Sequence, residues 1–146
     1  MLFFRVLWSI FWRAVLVLIV NAGISYAIGM ASHQLSDNTT ELIKLRRSLA
    51  FLPAAIIFAG FAWKNRTLGN GLLQNRSPLD AKQWRETYLV LSALCIVLIS
   101  ISSAAAYALE IDSWLAVQQL TNPTSWLATW IGLSIWQTAK IRKSRL

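Results

Sequence analysis

Several residue types that commonly build active sites are scarce in this chain of 146 residues, which has one cysteine, one histidine and six acidic residues. Cys95 alone cannot form a disulfide within the chain or a redox-active thiol pair. His33 alone cannot supply a histidine pair for haem or a histidine-rich metal site. We therefore expect no catalytic residues, no cofactor and no metal, and the chain is predicted not to be an enzyme.

Charge is scarce as well, because only 14% of the residues are charged while 56% are hydrophobic, and soluble domains have about 25% charged residues. Uncharged runs cover residues 14–32, 48–63, 87–109 and 113–139, and a helix needs roughly 20 apolar residues to cross a membrane. The run 48–63 is short, but Lys44, Arg46 and Arg47 before it can snorkel toward headgroups. A re-entrant or interfacial segment is the alternative there.

The pattern predicts an all-α integral membrane protein, a single domain with a bundle of four transmembrane helices over about 12–32, 46–64, 86–109 and 123–141. A basic cytoplasmic loop, 64–86, and external loops, 33–45 and 110–122, join them. With the N-terminus inside, most basic residues lie on the cytoplasmic side, as the positive-inside rule requires. They are Arg5, Arg13, Lys64, Arg66, Arg76, Lys82, Arg85, Lys140, Arg142, Lys143 and Arg145.

This distribution by side of the membrane explains the net charge of +8 better than nucleic-acid binding does. It predicts a multi-pass protein of the bacterial inner membrane with both termini in the cytoplasm. The basic clusters from Lys64 onward are predicted to contact anionic lipid, with a docking surface for a partner protein as the alternative.

Local signals predict where helices begin and where aromatic side chains lie. Ser77 is the expected cap of the third helix, with Pro78 in its first turn, and Trp84 and Tyr88 should belt one face at the interface. A short external interfacial helix is expected at 114–120, with a new helix starting after Pro123. Most of the eight tryptophans should lie at the interfaces, namely Trp8, Trp12, Trp63, Trp84, Trp114 and Trp126.

Small residues spaced four apart recur within the predicted spans. Such pairs let helix backbones approach closely, either inside one bundle or against another subunit. The pairs are Gly23 with Ala27, Ala55 with Ala59, Ser100 with Ala104, and Ala128 with Gly132. Asn21 is the most polar side chain at mid-depth, and we expect it to bond a serine of the third helix, with a polar path as the alternative.

Two short patches carry a likeness to a known family. Residues 49–53 with 61–63, and then Thr129, Trp130 and Gln137, resemble ATP synthase protein I. That family shows a Gly-Glu pair followed by Lys at the start of its third helix, whereas residues 84–88 here read WRETY. Its interval between the two patches is also shorter, and we assign no family from the likeness.

All six acidic residues lie in predicted loops or at helix ends, which argues against proton-coupled transport because that needs an ionisable group within the bilayer. The preferred hypothesis is a non-enzymatic subunit that anchors or helps assemble a larger inner-membrane complex for transport, secretion or respiration, through partner subunits or other copies of itself. A small channel or holin-like permeabilising protein is one alternative. A small-molecule transporter that uses Asn21 is another.

Overall fold

The computed structural model describes residues 1–33, 40–64 and 77–144, and every regular element in these ranges is a helix. Helix α1 spans Leu2–His33, α2 spans Thr40–Ser48, α3 spans Leu52–Trp63, α4 spans Ala81–Ala108 and α5 spans Ile111–Lys143. One turn of 3-10 helix, Leu49–Phe51, joins α2 to α3. Since α1 begins at Leu2, the aromatic residues before position 12 belong to the first helix.

Helix α4 begins with a capping box, although on a different residue from the one expected. The Asp80 carboxylate accepts from the Gln83 backbone N–H at 2.7 Å, and the Gln83 side chain accepts from the Asp80 N–H at 3.0 Å. The prediction that Ser77 is the cap was wrong. Its hydroxyl instead accepts from the Trp84 indole at 2.9 Å, because Asp80, directly before the first helical residue, is in position to meet the free N–H groups.

Helix α5 corrects the predicted interfacial helix at 114–120 and the new start after Pro123. It runs without interruption from Ile111 to Lys143 with Pro123 inside it, so most of the predicted external loop 110–122 is helical. A proline removes one intrahelical hydrogen bond. Nearby, the hydroxyls of Thr121 and Thr124 donate to the Val117 and Leu120 carbonyls at 2.7 and 2.6 Å, which adds bonds around the interruption.

The helices form a ring of four antiparallel segments. The segments are α1, α2 together with α3, α4, and α5. Helix α1 contacts α3 and α5, α4 contacts α3 and α5, and α2 packs on α4. The apolar core runs through the middle of the ring, with Val6, Ile10, Ala14 and Val17 from α1 following helical spacing. The remaining core side chains include Phe58, Tyr88, Leu91, Cys95, Leu98 and Leu133.

Large apolar side chains cover the outside of this ring, which is unusual for a soluble bundle. They occur on every long segment, as at Ile19, Ile56, Ile96 and Ile135, each more than half exposed. Within residues 1–33, 40–64 and 77–144, two helices are long and apolar enough to cross a membrane, at Leu2–Ala31 and Ala81–Ala108. Only 17% and 28% of their most apolar stretches is buried, whereas the core helix of a soluble protein is mostly buried.

Candidate functional site

The interior of the ring contains polar side chains at three levels, and the middle level surrounds the junction of the 3-10 turn with α3. The Asn21 side-chain oxygen accepts from the Ala54 backbone N–H at 3.0 Å, and the Ser25 hydroxyl donates to the Ala50 carbonyl at 3.1 Å. The first N–H groups of a helix have no intrahelical acceptor. Asn21 and Ser25, one turn apart on α1, therefore bond the backbone on both sides of the junction. Asn21 bonds α3, and Ser25 bonds the 3-10 turn.

This geometry corrects the expected partner of Asn21, which was a serine of the third predicted helix, the present α4. Such a serine does take part, but it bonds elsewhere. Ser92 of α4 donates to the Ala55 carbonyl at 3.0 Å. Pro53 lies in the first turn of α3 and has no backbone N–H. The backbone of α3 therefore bonds side chains of both neighbouring helices just after the proline, at Ala54 and Ala55.

At one end of the bundle, Lys44 caps the C-terminus of α4. Its ammonium donates to the Ala106 and Leu109 carbonyls at 3.0 and 2.9 Å, where a helix has free acceptors and a partial negative charge. The side chain is 8% exposed. The expectation that Lys44 snorkels toward headgroups was therefore wrong, and the residue joins α2 to α4 instead.

Next to Lys44, a hydrogen-bonded group centred on Ser102 joins three helices. The Ser102 hydroxyl contacts the Ser48 hydroxyl at 3.1 Å and accepts from the Gln118 amide. The Ser102 carbonyl accepts from the Trp114 indole at 3.1 Å. Trp114 is completely buried, so it is a core residue and not part of an interfacial belt.

At the opposite end, Arg13, one of the basic residues assigned to the cytoplasmic side, is buried inside the bundle. Its guanidinium donates to the Ser9 carbonyl at 2.9 Å and to the Ser9 hydroxyl at 2.5 Å. It lies 4.4 Å from the Trp12 ring centroid and 4.5 Å from that of Trp84, within the range of cation–π attraction. Tyr88 stacks on Trp84 at 5.4 Å, so this pair too faces the core and not the lipid boundary.

Gln137 joins α5 to α4 near the same end. Its amide nitrogen lies 3.2 Å from both the Gln83 carbonyl and the Thr87 hydroxyl. Its side-chain oxygen has no partner among the described residues. An ion pair closes this end, with the Lys140 ammonium 2.6 Å from the Glu86 carboxylate. The helical spacing of Gln137, Ser134 and Trp126 was the available signal for the buried face of α5.

The predicted small-residue pairs are mostly on the outside of the bundle. Gly23 with Ala27, Ser100 with Ala104, and Ala128 with Gly132 are all exposed, and of the fourth pair only Ala55 is buried. A Cβ added to Gly23 or Gly132 would have no atom of the described residues within 4 Å. Internal packing, the first of the two predicted uses, therefore does not apply to these three pairs.

The predicted basic contacts divide into three groups. Lys64, Lys82, Arg85, Arg142 and Lys143 are exposed, and Lys140 is in the ion pair with Glu86. Arg66, Arg76 and Arg145 lie outside the described residues, as does the side chain of His33.

The buried polar side chains of the interior form hydrogen bonds between helices, as at Asn21, Ser92 and Gln137. Cys95 is completely buried, and no group of three or more His, Cys, Asp or Glu residues lies together within 1–33, 40–64 and 77–144. The buried polar groups chiefly connect one helix to the next. This arrangement holds the four segments in register.

The chain matches no known protein family, no curated protein and no solved structure. The likeness to ATP synthase protein I thus has no support beyond the two short patches that carry it.

Proposed function

We propose that this chain is a non-enzymatic subunit of the bacterial inner membrane that anchors or helps assemble a larger complex. In this proposal all four segments cross the membrane with both termini in the cytoplasm, and the outer surface of the bundle contacts partner helices. The exposed small-residue pairs are the observation that carries the proposal.

Segment length and surface chemistry support four crossings. The 9 residues of α2, the 3 of the 3-10 turn and the 12 of α3 form a path of about 37 Å at 1.5 to 2.0 Å per residue. That exceeds a hydrocarbon core of roughly 30 Å. Helix α5 has 33 residues and exposes Leu127, Ile131 and Ile135, as a lipid-facing helix does.

The small-residue pairs support contact with partner helices. In a membrane, helices associate mainly through close packing, and small residues four apart permit that packing. The bundle leaves Gly23, Ala27, Ala128 and Gly132 open on its surface. Its buried polar groups, in contrast, are largely occupied in joining its own helices, which favours a contact role over a polar conduction path.

A substitution series tests the contact role. Gly23→Leu, Ala104→Leu and Gly132→Leu each enlarge one exposed pair. Ala93→Leu is the control, because Ala93 is also exposed, on α4, but has no small residue four positions away. The tagged full chain is extracted in mild detergent, and its apparent mass is measured by native electrophoresis. We expect an assembly larger than one chain, lost in at least one pair variant and retained in the control.

Three results would contradict the proposal. The first is a monomeric wild-type chain, and the second is an assembly that all three pair variants retain. The third is dissipation of an imposed membrane potential by the purified chain in liposomes, which would favour the channel or holin-like alternative. Co-expression of two differently tagged copies separates self-association from a partner subunit.

A further inference from the structure

The N-terminal half of α1 and the C-terminal half of α5 pack antiparallel and leave two grooves on the surface of the bundle. One groove, of about 540 Å³, lies near the ends of the two helices. The other, of about 550 Å³, lies further along the same pair of helices. We call the two together the α1–α5 seam.

The two grooves differ sharply in polarity. The end groove has Arg142 and Lys143 in its wall, and none of its lining residues among those that the structure describes is a carboxylate. Thr138, also in that wall, is 6% exposed, and its hydroxyl has no hydrogen-bond partner within the part of the chain that the structure describes. The cationic end of the seam therefore has donors to offer an anion.

The second groove is almost entirely apolar and aromatic. Its wall includes Phe4, Trp8 and Phe11 from α1, and Leu127, Trp130 and Ile131 from α5. Two of these lining residues, Phe11 and Trp130, meet edge to face at 4.9 Å between ring centroids. A hydrocarbon chain suits such a surface, whereas an ion or a sugar does not.

We propose that the α1–α5 seam binds one anionic phospholipid, with its phosphate at Arg142 and Lys143 and an acyl chain along the aromatic groove. Arg142 lies about 22 Å along α5 from Leu127 at about 1.5 Å per residue. That length matches the roughly 20 Å from the headgroup region to the bilayer midplane. The inference rests on the membrane placement that is part of the proposed function. It goes beyond that function because it requires no partner subunit.

The test measures lipid binding to the purified full chain in mild detergent by native mass spectrometry. Dioleoylphosphatidylglycerol is compared with dioleoylphosphatidylcholine, which has the same chains and no net charge. The variant Arg142→Gln with Lys143→Gln removes the cationic end. The control, Lys82→Gln with Arg85→Gln, removes the same amount of charge from exposed positions at the start of α4. These positions lie at the same end of the bundle as Arg142 and Lys143.

We expect one tightly bound phosphatidylglycerol and much weaker binding of phosphatidylcholine. At about 1 kcal/mol for each basic residue, the seam variant should bind phosphatidylglycerol roughly thirtyfold more weakly, and the control variant should bind it as the wild type does. Filling the apolar groove with Leu127→Trp should also weaken lipid binding, although it leaves both cations in place.

Each of three results would overturn the inference. Equal binding of the two lipids would exclude selection by charge, and equal losses in the two double variants would mean a general charge effect. Displacement of the lipid by inorganic phosphate, with no effect of Leu127→Trp, would mean that the site takes a free anion and not a lipid. None of these results bears on the small-residue pairs, so the two proposals fail separately.

Discussion

Replacement of Asn21 by alanine tests how the junction at the start of α3 is held. The substitution removes the acceptor that lies 3.0 Å from the Ala54 N–H, inside the bundle where water cannot replace it. A buried donor left without a partner costs about 1–3 kcal/mol, while side-chain bonds between membrane helices average about 0.6 and reach about 1.7 kcal/mol. We expect a loss of about 1.5 kcal/mol in the free energy of unfolding.

The assay is an unfolding titration with dodecyl sulfate in mixed micelles, followed by tryptophan fluorescence. Ser100→Ala is the control, since Ser100 is exposed and its hydroxyl bonds the Ile96 carbonyl of its own helix, and it should cost under about 0.5 kcal/mol. Combining Asn21→Ala with Ser25→Ala should be non-additive because both act on one junction. Equal costs for Asn21→Ala and Ser100→Ala, with unchanged amide exchange at Ala54, would refute the reasoning.

Three further variants follow from single contacts. Lys44→Met should lower the free energy of unfolding by about 2 kcal/mol because the last carbonyls of α4 lose a charged donor. The control Arg47→Met, at an exposed position, should change it little, and equal losses in the two variants would contradict a capping role for Lys44. Glu86→Gln should cost under about 1 kcal/mol, with the loss erased by high salt, because the pair with Lys140 is partly exposed. Pro123→Ala should raise stability by about 1 kcal/mol by restoring a helical bond, and a decrease would mean that α5 depends on its proline.

Composition and periodicity predicted the helical class and the approximate position of each long segment. They could not predict which polar residues face inward. Arg13 lies on the same helical face as Val6, Ile10 and Val17, yet a basic residue near the start of a span is ordinarily assigned to the interface. Its burial depends on Trp84, which is distant in sequence.

The partner of Asn21 was unpredictable for a related reason. The sequence shows a costly amide at mid-depth but not which backbone groups of other helices lack partners. Those groups appear only where Pro53 and the 3-10 turn interrupt the second segment. Similarly, a proline such as Pro123 is typical of the first turn of a helix. The packing of α5 on α1 and α4 is needed to show that the helix continues on both sides of it.

The most direct test of the account is to determine on which side of the membrane each segment ends. In a Cys95→Ser background, single cysteines at the exposed positions Thr40, Lys64, Ser113 and Ser144 are treated with a membrane-impermeant maleimide in spheroplasts. The account predicts labelling at Thr40 and Ser113 in intact spheroplasts, and at Lys64 and Ser144 only after permeabilisation. Labelling of Thr40 and Lys64 from the same side would contradict a second crossing, and with it the four-segment membrane bundle.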